Sequence, residues 1–547
     1  MAFLASPLSS GQVTFFVAFA WSVFAWLYAE YLHYNKSRAP RHEHDEGPQD
    51  QESAKLLPIT AESGQSGKAA GGQGSSSSGD ASISIHGASG MLGSMVNCGM
   101  VSCLLLKRQA LLANRETLRT VVEFGCLMLW YFLSDRTSLL PTGEKSYSRD
   151  VFLFIFVALT CAAVGSSLRT FKFPLLLNRP QTEEWKGWMQ VLFLLYHYFE
   201  AKEVYNAIRI FIAGYVWMTG FGNFSYYYKT GDFCIGRFAQ MFWRLNFLVF
   251  FACVVLQNSY MLYYICPMHT IFTVFVYLAL AIAPQVNKSN GWLLFKIAMC
   301  FVFIFVTWDI KSVFYAIWRP FLWLVGYVDP RKPAEEQDPL HEWYFRSSLD
   351  RYIWIYGMLC ALMHPMASAI LSYIDELPTL KRISVRSAIL TACGAAGYVY
   401  YSTVYTLPKV QYNAVHPYTS WIPITLWIIV RNMTPSLRIY HLRLYGWLGC
   451  ITLETYISQF HIWMKTGLPD GQPKSLLVLI PGYPLLNFAL VSGLYVLASH
   501  RLFEVTNALK NALVPHSNDA LLGRNILLML GAGGALWGVV AALHQAV

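Results

Sequence analysis

Ionisable side chains inside long apolar stretches are costly to keep there, so each one is a candidate for chemistry. The richest stretch runs Glu183-Glu184-Trp185-Lys186-Gly187-Trp188-Met189-Gln190, through Val191 to Tyr196, into His197-Tyr198-Phe199-Glu200 and on to Glu203. At 1.5 Å per helical residue the Lys186-to-His197 spacing is about 16 Å, which predicts a histidine deep in a bilayer and a lysine at the headgroups. Glu200 falls at i+3 from His197, within hydrogen-bonding reach, and Glu203 at i+6 on another face unless the helix bends. A carboxylate beside a buried imidazole sets its tautomer and raises its basicity. A general base that takes a proton from a hydroxyl needs this arrangement. The same pair could instead be a structural bond inside a bundle. His197, Glu200 and Glu203 are the candidate catalytic residues.

Only membrane helices could hold these residues in place. Of 547 residues, 55% are hydrophobic and 13% charged, about half the charged share of a soluble protein. Mean hydropathy is +0.38. Together these exclude a soluble enzyme, a disordered scaffold and a disulfide-rich secreted domain, and they predict an all-α polytopic membrane protein. The formal charge of +10 reads as basic loops beside membrane helices. No dense basic run interleaves with aromatics, so no nucleic-acid partner is expected. The cysteines lie mostly in apolar runs as small hydrophobes. With no CxxC pair and no zinc spacing, no metal site is expected, and His42 and His44 read as solvated linker residues.

The first apolar run, about Gln12 to His33, ends in an aromatic belt of Trp26, Tyr28, Tyr31 and Tyr34. It reads as a retained helix, not a signal peptide. Lys36, Arg38 and Arg41 follow it, which predicts a luminal N-terminus and a cytosolic loop after it. The predicted organisation is a transmembrane helix over 1–34 and a cytosolic Gly/Ser-rich flexible loop over 35–116. Two transmembrane helices follow over 117–170, a multi-helix membrane core over 171–513 and a C-terminal transmembrane helix over 514–547. About thirteen spans are expected, with no internal repeat.

Two motifs then carry a resemblance. Lys186-x10-His197 resembles the basic-x10-His signature of acyltransferase-3-type sugar O-acyltransferases, and Gly449–His461 is similar to a late helix of the same fold. The longer segments Asn178–Gln190, Tyr215–Tyr228, Arg237–Val249, Asn258–Thr270, His416–Thr425 and Leu453–Trp463 resemble plant reduced-wall-acetylation proteins. Those carry the ten-helix acyltransferase domain shared with fungal capsule and animal sialic-acid O-acetyltransferases. The resemblance runs from the first helix to about Leu513. It implies an acyltransferase-3-like bundle in the Golgi membrane that O-acetylates cell-wall polysaccharides (xylan, xyloglucan, mannan, pectin). No bound cofactor is implied; acetyl-CoA is the implied donor substrate. The implied partners are the bilayer and either a luminal polysaccharide or a separate luminal acetyltransferase.

Fungal and animal relatives also carry a luminal SGNH-type esterase domain. Here Gly79-Asp80 is followed by Ala81 where a nucleophilic serine would be needed, and Asp338-x-x-His341 has no soluble domain around it. The expectation is therefore an acyltransferase not of SGNH type.

With that donor in view, Arg237, Arg244 and Asn246 could hold its phosphates, since Arg pairs bidentately with phosphate. They could equally snorkel or pair between helices. Lys186 and His269, after the Cys266-Pro267 break, join them as candidate donor-binding residues. Glu454, Gln459 and His461 read as one polar stripe facing the bundle interior, as site wall or as packing. His341, Glu342, Arg346, Asp350 and Arg351 read as an interfacial ion network. Four routes stay open: His197 as acetyl-accepting nucleophile, His197 as base for direct transfer, a carrier that moves the acetyl donor intact, and a scaffold that recruits luminal acetyltransferases.

Overall fold

The computed structural model describes residues 7–38, 99–516 and 519–546. His42, His44, Gly79, Asp80 and most of the 35–116 loop lie outside the described residues. The described residues fall into two compact units, divided after Ser22 and before Arg119: one holds the start of α1 together with everything from Arg119 on, the other the rest of α1 with the described residues up to Leu118. In the smaller unit Ala25, Ala29, Leu32 and Leu111 make a core of their own.

The principal elements are α1 (Ser10–Arg38), α2 (Arg115–Arg136), β1 (Thr142–Glu144), α3 (Arg149–Ser167), β2 (Leu168–Thr170), α4 (Arg179–Phe199), α5 (Tyr205–Thr230) and α6 (Ile235–Leu256). Then come α7 (Ile265–Ala281), α8 (Asn290–Ile304), α9 (His341–Leu349), α10 (Ile353–Glu376), α11 (Thr379–Tyr400), α12 (Lys409–Thr419) and α13 (Trp421–Asn432). The chain closes with β3 (Tyr440–Leu442), α14 (Arg443–Cys450), α15 (Thr452–Ser458), β4 (Met464–Lys465), β5 (Ser475–Leu477), α16 (Pro484–Leu513) and α17 (Asp519–Ala546). Wide π turns follow α8 at Phe305–Asp309 and α15 at Gln459–Trp463.

The architecture is an all-α polytopic membrane protein. Among the described residues seven helical stretches are long and apolar enough to cross a bilayer: α1, α3, α6, α8 with its π turn, α9–α10, α16 and α17. α2, α4, α5 and α11 have 22, 21, 26 and 22 residues but carry more polar side chains. Several expected spans are broken instead. Residues 409–432 divide at Ser420 into α12 and α13, and residues 443–463 divide into α14, α15 and a π turn.

Two small antiparallel sheets mark the opposite ends of α4. β2 pairs with β3, Leu168 opposite Leu442, and the Glu184 carboxylate in the second turn of α4 accepts from Leu442 N at 2.8 Å. At the other end β1, β5 and β4 form a three-stranded sheet, and Lys145 beside β1 reaches the last turn of α4. α4 begins cleanly because Asn178 caps it, its side chain accepting from Gln181 N at 2.9 Å, and Pro180 suits a first helical turn.

Backbones cross closely at glycines, as small residues allow between membrane helices. A Cβ on Gly187 of α4 would lie 1.8 Å from Tyr445 O of α14, and one on Gly449 of α14 would lie 2.0 Å from Glu183 O. Gly220 of α5 and Gly357 of α10 make a similar crossing against Trp354 O and Trp217 O. The obstruction is backbone, so neither helix can yield by turning a side chain. Gly187→Ala is expected to destabilise the bundle by about 1–3 kcal/mol or more, read as a lower thermal midpoint in detergent. Gly446→Ala, with nothing within 4 Å, is the control and should leave the midpoint unchanged.

Candidate active site

His197 sits in the last turn of α4, two residues before its end. Its ring is half-buried, packed edge-on to Phe193 at 4.4 Å and beside Tyr196 at 5.0 Å between centroids. Nδ1 is closed off from solvent with no hydrogen-bond partner. The side chains acting on the ring are Gln459 and the cations Lys145 and Arg346. Gln459 Oε1 and Tyr456 OH are likewise buried without partners. Buried polar atoms are nearly always satisfied in folded proteins, so the unpartnered His197 Nδ1 and the unpartnered Gln459 Oε1 that acts on the same ring leave this imidazole available for something besides packing. Arg346 lies over the Tyr264 ring at 4.4 Å and donates through Nε to Glu342 at 3.1 Å.

The expected carboxylates are not at the ring. The helix stops at Phe199, and Glu200 takes the left-handed conformation (φ 55°) as its C-cap, so i+3 geometry does not apply. Glu200 is 55% exposed and pairs with Lys202 at 2.9 Å. Glu203 lies in the following 3-10 turn, bound to Arg149 at 2.6 Å and to Tyr147. The Arg149 bond, with that from Tyr147, holds its carboxyl below the usual range. Lys186 is the residue two turns into α4, paired with Glu183 at 2.7 Å, and His197 is the one near a helix end.

The candidate donor-binding residues scatter over several contacts. Arg244 grips Glu454 with both Nη atoms, Nη2 to Oε2 at 2.9 Å, and lies over Phe503. Its guanidinium is thus engaged between helices. Arg237 stacks on Tyr226 at 4.5 Å. Asn246 joins Thr270 at 3.1 Å and Tyr260, and His269 Nδ1 meets Thr219 Oγ1 at 2.6 Å. Glu454, Gln459 and His461 are all fully buried, but they do not form one stripe. The π turn at Gln459 changes the helical phase, so Glu454 meets Arg244, Gln459 meets His197 and His461 meets a third group. Asp338 and His341 do not pair either: Asp338 accepts from Tyr315 and Leu340 N, and His341 stacks on Phe345.

That third group is a closed network. His461 Nδ1 lies 2.8 Å from Asp135 Oδ2, and His461 Nε2 lies 2.6 Å from Tyr263 OH. Asp135 also accepts from Arg136 Nη1 at 2.5 Å, Thr466 N at 2.6 Å, Thr466 Oγ1 at 2.7 Å and Gly467 N at 3.1 Å. Both ring nitrogens of His461 are used, so it positions the π turn; His197 keeps a free one. The supposed interfacial ion network proves to be separate pairs, Arg209–Asp350 at 2.7 Å beside His416, and Arg351–Asp309 at 2.8 Å.

Lys145 was not foreseen. Its ammonium donates to His197 O at 2.9 Å and Pro473 O at 2.7 Å, tying the end of α4 to the 473 loop. Burial pushes its pKa down to about 8 from an ordinary 10.5, against the nearby Glu200 carboxylate, which acts to raise it. Between those values the unfolded chain binds the extra proton, so this group makes stability rise as pH climbs from about 8 to 10.5. Below pH 8 both states are protonated and the burial cost is felt in full. Lys145→Met is expected to flatten that rise, measured as thermal midpoint against pH.

Residues 95–526 match the family described as the 10 TM acyl transferase domain found in Cas1p. The chain is also 32% identical over 437 residues to an N-acetylneuraminate (7)9-O-acetyltransferase of Danio rerio, covering 76% of this chain and 52% of the relative. It thus spans about half the length of the curated relative it matches. No solved structure matches.

Proposed function

The chain belongs to the family of ten-transmembrane acyl transferase domains found in Cas1p, and on that footing we propose that it is a membrane O-acetyltransferase acting on carbohydrate hydroxyls. The observation that carries this reading is the half-buried His197, whose Nδ1 has no partner and whose charged neighbours are the cations Lys145 and Arg346. In the proposed reaction the acceptor oxygen bonds to the acetyl carbonyl carbon as its proton passes to the imidazole. The C–S bond of the donor thioester breaks, and the departing thiolate takes that proton to leave as the free thiol. Arg346 would meet the negative charge that gathers on the carbonyl oxygen.

Acetyl-CoA is the proposed donor and the Golgi membrane the proposed home. Plant-type wall polysaccharides, or a luminal acetyltransferase that serves them, are the proposed acceptors.

The test is the full chain in liposomes with acetyl-CoA labelled in both the acetyl group and CoA, offered xylo-oligosaccharide or N-acetylneuraminate as acceptor. Free CoA with acetyl on the sugar is the expected result. Intact acetyl-CoA accumulating inside would make the protein a carrier and overturn the reading.

A further inference from the structure

A cavity of about 680 Å³ opens between α8, α10 and the α12–α13 junction. Its walls include Phe301, Phe305, Tyr352, Tyr356, Tyr418 and Trp421. It arises from two helix irregularities, the π turn at Phe305–Asp309 and the break around Pro417 and Ser420. Such irregularities recur at functional sites.

The polar atoms of the rings along the walls are engaged in hydrogen bonds within the protein. Tyr352 OH and Tyr418 OH donate to Asp309 at 2.6 and 2.7 Å, Tyr356 OH meets Thr425 Oγ1 at 2.5 Å, and Trp421 Nε1 donates to Tyr418 O at 3.0 Å. A buried water needs two to four polar partners, and these rings offer it few. Phe305 and Trp421 remain 55% and 46% exposed on a helix of membrane length and its neighbour. An apolar occupant fits, drawn from the surrounding bilayer. At one end Asp309 and Arg351 form an ion pair at 2.8 Å with both tyrosine hydroxyls on the carboxylate. The pair carries no net charge, so it suits a zwitterionic headgroup and makes no demand for an anionic one.

We propose that this cavity holds an acyl chain of a zwitterionic bilayer phospholipid, with its headgroup level set by the Asp309–Arg351 pair. The test reconstitutes the full chain with phosphatidylcholine bearing a photoactivatable diazirine midway along one acyl chain, followed by peptide mapping of adducts. Labelling at Phe301, Phe305 or Trp421 should exceed that at Leu530 and Leu543 of α17, which are 68% and 63% exposed, by at least about fivefold, as enclosure of a ligand in a pocket requires. Val302→Trp, which adds bulk to the lining, should bring the excess down to the α17 level with an unchanged circular dichroism spectrum. If that variant misfolds, competition on the wild type decides: excess unlabelled phosphatidylcholine should remove the excess, and a polyprenyl phosphate should not. Labelling equal to α17 in the wild type, an excess that survives Val302→Trp, or a protein–protein crosslink at these residues would each overturn the proposal. Displacement by the polyprenyl phosphate alone would overturn the choice of phospholipid.

Discussion

Replacing His197 with glutamine is expected to cut acetyl transfer about 10²–10⁴-fold, the share typical of a positioned general base, while the protein still folds. The fold should tolerate the change because the tie from Lys145 is to the His197 backbone carbonyl, which any residue supplies, and because no side-chain hydrogen bond holds Nδ1. Donor affinity should be little altered, so the loss should fall on kcat more than on KM. The measurement is CoA release by purified protein in liposomes, with acetyl-CoA binding by the variant checked separately. Near wild-type turnover in His197→Gln would remove the residue from the reaction. Acid-quenched wild type retaining labelled acetyl on His197 would distinguish covalent transfer from base catalysis.

The second large effect lies away from that ring. Asp135→Ala is expected to cost about 3–5 kcal/mol of stability, as removal of one partner of a buried ion pair does. Arg136 would keep its bonds to Leu256 O and to Asn258 Oδ1 at 2.8 Å but lose its counter-charge. His461 Nδ1 and the Thr466 and Gly467 amides would lose their acceptor at the same time. A marked fall in thermal midpoint, or failure to recover monodisperse protein, is the expected readout. Glu203→Gln, which removes the charge facing the exposed Arg149 and keeps an amide oxygen for Tyr147, should shift stability by about 0–1 kcal/mol. An Asp135→Ala midpoint equal to that of Glu203→Gln would rule the network out as a stabilising element.

The cost of intramembrane charge singled out His197 as a candidate from the residue order alone. Applied evenly, it would also have singled out Asp135 and Arg136, which close α2, the first of the two helices expected over 117–170. The all-α class followed from composition for the same reason: hydrocarbon admits helices because their backbone bonds are internal. Other features left no mark in the residue order. Glu200 ends α4 in a left-handed conformation without the glycine or asparagine that usually announces one. Nothing in Thr452–Trp463 announces a π turn, so counting by i, i+5 and i+7 joined side chains that face three different groups. Lys145 is one lysine in a short loop, and its partners are carbonyls 52 and 328 residues away.

Such separations have a consequence for biosynthesis. Asp135 leaves the ribosome 331 residues ahead of Thr466, whose amide and hydroxyl it needs. At 5–20 residues per second that is a wait of roughly 20–60 s. Through that interval the Asp135 carboxylate has Arg136 next to it as its counter-charge, and β2 waits almost as long for β3. The bundle is thus finished by its last third, and a fault introduced at His461 or Thr466 strands a helix that was made long before.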